Sequence, residues 1–390
     1  DKRELFIKLS AKDTYYVGVN DHQSDLFEGI YKIPNGVAYN SYVIVDDKIA
    51  VMDAVDEIFG DEWMANVKEV LGGRKPDYIV IQHMEPDHSA NALRFAREYP
   101  DVKLIGNTKT FVMLEEYFGT DFADRRVVVG DGDAISLGRH ELRFMFAPMV
   151  HWPEVMVTYD AFTKTVFSAD GFGKFGALDV EEPWDDEARR YYIGIVGKYG
   201  KQVDAALKKL SALQIERICP LHGPVLEGDL SHYFGLYSTW ANYEPEIDGV
   251  MIAFASVYGH TKKAAELLAE ELISAGCKNV LMHDLARDDC SVCVADAFRY
   301  SRLVIAGITY NASLFPAVRE FIENLTERNY QKRVVGFIEN GTWAPVAARL
   351  MQEKFGKSNI TFAQNTVSVR AALNNQTREQ VKALAAEMAK

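Results

Sequence analysis

The chain has little cysteine for its length: four thiols in 390 residues, Cys219, Cys277, Cys290 and Cys293. That is too few for a disulfide framework, so the fold must rest on its core. No run of apolar residues approaches a membrane span, and the N-terminus lacks the charged-then-apolar pattern of a secretory signal. Positive charge is also scarce. The formal net charge of -13 argues against nucleic acid or an anionic membrane as partner, because both require basic surface. A cytoplasmic protein is expected. Cys290-Ser-Val-Cys293 is a CxxC, but no second CxxC supplies the further ligands of a zinc knuckle. Its surroundings also lack the strand-to-helix pattern of a thioredoxin motif, so these thiols read as incidental in a reducing compartment.

What is present suffices for two or three domains, with 48% hydrophobic residues to build their cores. The most informative stretch is His83-Met84-Glu85-Pro86-Asp87-His88. It follows Tyr78-Ile79-Val80-Ile81, a short β-branched run that reads as a buried strand. Pro86 blocks a regular ladder, so the motif is expected on a loop at the strand end, with a helix from Ser89 to Arg97. A lone His or Asp in such a loop is usually a cap or a solvated side chain. Two imidazoles and two carboxylates within six positions point instead to a transition metal such as iron, manganese or zinc.

Three isolated residues extend the set. His151 precedes Trp152-Pro153, Asp170 precedes Gly171-Phe172-Gly173, and His222 precedes Gly223-Pro224. Each stands where an apolar run breaks into a turn, as a layered β-rich fold requires to bring ligands to one rim. Around them, short strands at residues 15–19, 41–45 and 49–52 read as antiparallel. A helix from Glu62 to Leu71 stops at Gly72-Gly73.

A different pattern begins near residue 249. Val250 to Ala255 is a buried strand, followed by Ser256-Val257-Tyr258-Gly259-His260-Thr261 and a helix from Lys262 to Ala275. Such a loop aims backbone N–H groups and a helix N-terminus at an anion, typically a phosphate. Strand-helix alternation then continues to the end of the chain, which predicts a doubly wound parallel sheet. Its strand-end loops, Thr309-Tyr310-Asn311-Ala312 and Asn340-Gly341-Thr342-Trp343-Ala344, lie where such folds hold ligands.

The series His83, Glu85, Asp87, His88, His151, Asp170 and His222 resembles the metallo-β-lactamase fold, and more narrowly the flavodiiron proteins. Hydrolases of that superfamily usually carry His where this chain has Glu85, whereas flavodiiron proteins carry the glutamate. The C-terminal part resembles a flavodoxin, whose cofactor is FMN. The resemblance implies an N-terminal αββα metallo-β-lactamase-like sandwich over residues 1–248 and a flavodoxin-like domain over 249–390. It further implies two iron ions: His83, Glu85 and His151 on one, Asp87, His88 and His222 on the other, Asp170 bridging. FMN phosphate would lie on Ser256 to Thr261, with Tyr310 or Trp343 against the ring. The implied reaction is reduction of dioxygen to water or of nitric oxide to nitrous oxide. A head-to-tail homodimer or dimer of dimers would bring each flavin to its partner's metals. A separate rubredoxin-like protein, or reduced deazaflavin, would donate electrons.

His22 and Tyr199 are candidates for hydrogen bonding to the ligands or supplying protons, weighed evenly against plain surface placement. His260 reads as a phosphate-loop residue, and His140, His232 and His283 as structural. Two rival functions are a dinuclear zinc hydrolase with an appended flavodoxin and a non-catalytic FMN electron shuttle. Glu85 and the second domain speak against the first. Seven ligand-type residues speak against the second.

Overall fold

The computed structural model describes residues 11–390. They form two compact units, one taking the residues up to Tyr192 with Lys201–Ser238, the other Ile193–Gly200 with Thr239–Lys390.

The first unit is a sandwich of two six-stranded sheets. One runs Thr14–Tyr16, Tyr42–Val45, Ile49–Met52, Tyr78–Val80, Lys103–Gly106, Arg126–Val128 in spatial order. The other runs Ala134–Ser136, Glu141–Phe146, Met156–Asp160, Thr165–Phe167, Arg217–Cys219, Leu226–Glu227. Ile44, Met52, Val80 and Ile105 from the first meet Leu142, Phe144, Met156 and Phe167 from the second, all fully buried. Burial of such residues at about 1.5–3 kcal/mol each is what holds the two sheets face to face. As expected from their alternation, Tyr42–Val45 pairs antiparallel with both Thr14–Tyr16 and Ile49–Met52. The helix predicted from Glu62 begins earlier, at Gly60, and ends at Leu71 where Gly72 turns left-handed, φ 55°.

The second unit is a parallel sheet in the order Val280–Asp284, Ile247–Phe254, Tyr300–Tyr310, Arg333–Asn340, Ile360–Val369. That 2-1-3-4-5 order is the flavodoxin-like arrangement. Helices His260–Ser274 and Asn375–Met388 cover one core, built around Leu268, Leu272, Val304, Val381 and Leu384.

Two differences from the sequence reading have local causes. The boundary expected between 248 and 249 falls inside the strand Ile247–Phe254, because the preceding segment is already tied to this unit. The Tyr243 hydroxyl donates to the Gly197 carbonyl at 2.8 Å, and the Trp240 indole N–H donates to Glu246 at 3.0 Å. The CxxC also proves to lie on a strand-to-helix connection. Helix Cys290–Arg299 follows the strand Val280–Asp284, and the Asp289 side chain caps it by accepting from Ser291 N. Four residues of loop between strand and cap concealed that pattern in the sequence.

Candidate metal centre and flavin loops

Each metal-candidate side chain leaves the end of a sandwich strand. After Tyr78–Val80, Ile81 keeps one ladder bond to Ile105, and the backbone then turns under the control of Asp53. The buried Asp53 carboxylate accepts from Gln82 N and the Gln82 side chain at 2.8 and 2.9 Å, which sets the start of the motif. Pro86 does more than break the strand. It occupies the first turn of a short helix, Pro86–Ser89, with Glu85 as N-cap, so Asp87 and His88 project from a helical turn rather than a loop. The next helix, Ala92–Glu98, starts later than expected. Asp170 and His222 sit in adjacent turns locked together, Leu221 N donating to the Ala169 carbonyl at 2.8 Å. Gly173 fits between them because a Cβ there would lie 3.0 Å from Asp170 O and 3.3 Å from His222 O.

The seven residues converge as two groups, His83–Glu85–His151–Asp170 and Asp87–His88–His222. In the first, the Glu85 carboxylate lies 3.1 Å from His83 Nε2 and 2.9 Å from His151 Nε2. In the second, His88 Nε2 and His222 Nε2 are 3.0 Å apart, each 3.3 Å from Asp87 Oδ2. Asp170 faces both groups. Its Oδ2 is 3.1 Å from His83 and 3.2 Å from His151, while Oδ1 is 3.2 Å from His88 and 3.5 Å from His222.

This geometry fits two metal ions. Donors held at about 2.0–2.2 Å from one ion stand roughly 3 Å from each other, as these do. The carboxylate oxygens of Asp87 and Asp170 are buried and receive no hydrogen bond among the described residues. A buried anion without donors is costly unless a cation faces it. The imidazole tautomers agree. His222 Nδ1 donates to the Ala38 carbonyl at 2.8 Å and His83 Nδ1 to Glu154 at 2.7 Å, so the Nε2 lone pairs point into the cluster.

Burial opposes ionisation of Asp170 and Glu85; when the imidazoles carry protons in place of a metal, the charge of His83 and contacts with His151 and His88 hold Asp170 well below the usual carboxylate range, and contacts with His151 and His83 do the same for Glu85.

Two residues of this site escaped the sequence reading. Glu154 is fully buried and accepts from both His83 Nδ1 and Met84 N, each at 2.7 Å. Only its proximity to His151 hinted at it. Replacing it with Gln is expected to cost about 10–100-fold in metal affinity, measured by competition with a chelator. Glu28 hydrogen-bonds Glu85; although much of the residue faces solvent, desolvation of its carboxyl and then Glu85 push it up to about 8. Phe27, Tyr39 and Tyr191 pack around His222, and Trp152 against His83, closing the centre with aromatic rings. His22 is not among these neighbours. Half-exposed, its Nε2 pairs with Asp179 at 2.8 Å. Tyr199 belongs to the other compact unit, in a short 3₁₀ turn.

In that second unit the expected flavin loops share the carboxyl edge of the sheet. Gly259 is left-handed, φ 92°, and a Cβ there would meet open space. The fifteen-residue helix it precedes has no side-chain capping bond, so its first-turn amides are available to an anion such as the FMN phosphate. Ser256 Oγ accepts from Gly259 N at 3.1 Å, shaping the loop. Val257 and His260 are exposed, and Tyr258 is 91% exposed. Thr261 is buried and linked to the Asn340 side chain at 3.3 Å, so these two brace the loops from beneath. Thr309 to Ala312 is the tip of a β-hairpin with Ser313–Leu314 rather than an open loop; Asn311 and Ala312 are both left-handed there. Thr309 Oγ1 accepts from Val346 N at 2.9 Å, binding that hairpin to the third loop. Gly341 is half-buried, Thr342 and Ala344 are exposed, and Trp343 is 86% exposed. Large aromatic side chains left this open on a ligand-binding edge fit an aromatic ring system.

Comparison with known proteins agrees with the two-domain architecture. Residues 37–223 match the family described as ODP family beta lactamase, and residues 251–387 match the flavodoxin domain. The nitric oxide reductase of Moorella thermoacetica is 28% identical over 358 residues, 89% of this chain and 88% of that one. The rubredoxin oxygen:oxidoreductase of Desulfovibrio gigas superposes with a TM-score of 0.92 at 25% identity, covering 98% of each chain. The flavodiiron protein of Giardia intestinalis shares the fold, with a TM-score of 0.86 at 23% identity over 97% of this chain. A lactamase-like sandwich with a glutamate in its ligand set, continued by a flavodoxin domain, places this chain in the flavodiiron protein family.

Proposed function

We propose that this chain is an oxidoreductase that reduces dioxygen to water, nitric oxide to nitrous oxide, or both. The observation that carries it is Asp170, one carboxylate facing two separate nests of nitrogen and oxygen donors, in a chain that also carries a flavodoxin domain. His83, Glu85 and His151 would hold one iron, Asp87, His88 and His222 the other, with Asp170 between them. Both imidazoles of the first group and both of the second point inward, His88 included, which supports its assignment as a ligand. Loaded with two irons and FMN, the protein could deliver the four electrons that dioxygen needs, or two for each pair of nitric oxide molecules. Glu85 and Asp170 balance the cationic charge with hard oxygen donors, which favours iron over the softer ligand sets chosen for zinc. Glu154 and Ala38 fix ring orientation, and the aromatic wall limits water.

The hydrolase alternative leaves the flavodoxin domain without a task, and the electron shuttle leaves the buried, donor-free oxygens of Asp87 and Asp170 without one. A separate electron donor is part of the proposal, a rubredoxin-like protein first and reduced deazaflavin second. So is a head-to-tail homodimer, or a dimer of such dimers, since the flavin must approach the metals closely to transfer electrons. A cytoplasmic setting completes it; no helix among the described residues is long and apolar enough to cross a membrane.

Anaerobic metal and flavin analysis tests this directly. About two irons and one FMN per chain are expected, with reoxidation by one of the two gases far faster than that of free FMN. Two zincs, or flavin reoxidised no faster than in free solution, would overturn it. Trp343→Ala is expected to weaken FMN retention by about 1–3 kcal/mol, roughly the worth of one aromatic stacking contact, as read by flavin fluorescence on dilution.

A further inference from the structure

The CxxC reads in sequence as two incidental thiols because nothing nearby supplies further ligands. The fold supplies them. Strand Val280–Asp284 ends with His283 beside the first turns of helix Cys290–Arg299, and the connecting loop brings Asp288 to the same place. Donor atoms of His283, Asp288 and Cys293 all lie within 4.8 Å of one another. Cys293 is fully buried and Asp288 exposed, so the cluster has a closed side and a solvent-facing side.

The imidazole is held between two carboxylates. His283 Nε2 contacts Asp296 Oδ2 at 2.7 Å, and Nδ1 faces Asp288 Oδ2 at 2.8 Å. If Nε2–H donates to Asp296, the Nδ1 lone pair is left toward Asp288 and the Cys293 thiol. A carboxylate behind a histidine, fixing its tautomer, is the usual support of a metal-bound imidazole. The Asp289 cap anchors the helix start, which sets where the Cys293 side chain emerges.

We propose that His283, Asp288 and Cys293 form a separate binding site for a single zinc-type divalent ion, with Asp296 orienting the histidine. One thiolate, one imidazole and one carboxylate are a donor set of intermediate softness, which selects zinc rather than calcium or magnesium. Binding releases the thiol proton of Cys293 and leaves His283 neutral. Three protein ligands leave a fourth position for water on the exposed side. The ion would pin the end of an edge strand, whose five residues are all only half-buried, to the helix that follows it.

The test uses the full chain with its iron and flavin in place, given zinc alone and then gel-filtered. About one further zinc per chain should be retained, with zinc-edge X-ray absorption showing a sulfur neighbour at about 2.3 Å. Among the described residues, the donors gathered in the first unit's centre are all nitrogen and oxygen, so this signal separates the two sites. Cys293→Ser should abolish the sulfur signal. Asp288→Asn, at an exposed position that leaves packing intact, should lower zinc retention at least tenfold in a chelator competition. Loss of the extra zinc in both variants, with iron and FMN unchanged, supports the site. Zinc held without a sulfur neighbour, or retained equally by wild type and both variants, overturns it and leaves the cluster as an ion-paired histidine.

Discussion

Asp170→Ala is expected to leave a folded protein that no longer holds a metal pair. Its two oxygens face both donor groups and are fully buried. Removing them takes a shared anion from His83, His151 and His88 and leaves two incomplete sites, each lacking a charge-balancing ligand. Loss of turnover should therefore exceed the ~10–100-fold seen when an outer partner of a metal ligand is removed. Metal content should fall below the wild-type value, while circular dichroism and flavin content stay unchanged because the second unit is untouched. Asp170→Asn separates shape from charge: it keeps the bridge's outline but donates protons toward cations, and should fare little better. Full iron occupancy in either variant would show that Asp170 only braces its turn.

The second large effect is structural and centres on Arg333. This guanidinium is almost completely buried, and burial lowers its pKa. It donates to the carbonyls of Tyr243, Phe298 and Gln331, and through Nε to Tyr300 at 3.0 Å. It therefore gathers the entry segment, the end of one helix and two strands of the parallel sheet at a single point. Arg333→Leu strands several buried carbonyls, and a loss of about 3–5 kcal/mol is expected, as for other broken buried charge networks. Arg333→Lys should recover little of it, since an ammonium cannot reach the same fork of acceptors. Chemical denaturation of the full chain, followed by flavin fluorescence for this unit, would measure both. A change under about 1 kcal/mol would mean that water replaces the guanidinium without cost.

Much of the metal centre was legible because its ligands are of rare types at strand ends, and strand ends are readable from β-branched runs. In sequence Pro86 reads as a breaker, yet it opens a helical turn, because proline's fixed φ suits the first helical position as well as it interrupts a ladder. Glu154 and Glu28 were not legible. Glutamate is ordinarily a surface residue, and only contact with His83 or Glu85 distinguishes these two. His22, which the sequence leaves evenly between a role beside the ligands and plain surface placement, pairs with Asp179, 157 positions later, a partner no local pattern shows. The hairpin at Thr309 to Ala312 was concealed because neither of its left-handed residues is glycine.

Local pattern alone predicts the doubly wound C-terminal sheet and singles out seven candidate donors and a candidate phosphate loop at strand ends, whereas the N-terminal sandwich comes from the family resemblance. Periodicity, turn residues and ligand chemistry are properties of neighbours in the chain. The tertiary structure decided everything that depends on distant residues meeting. It put Asp170 between two nests of ligands, set Glu154 behind His83, and brought His283 and Asp288 to a thiol that had seemed alone. Such juxtapositions follow from strand order, crossover and loop path; they bring residues such as His83 and Glu154, 71 positions apart, into hydrogen-bond contact and leave no local trace in the sequence.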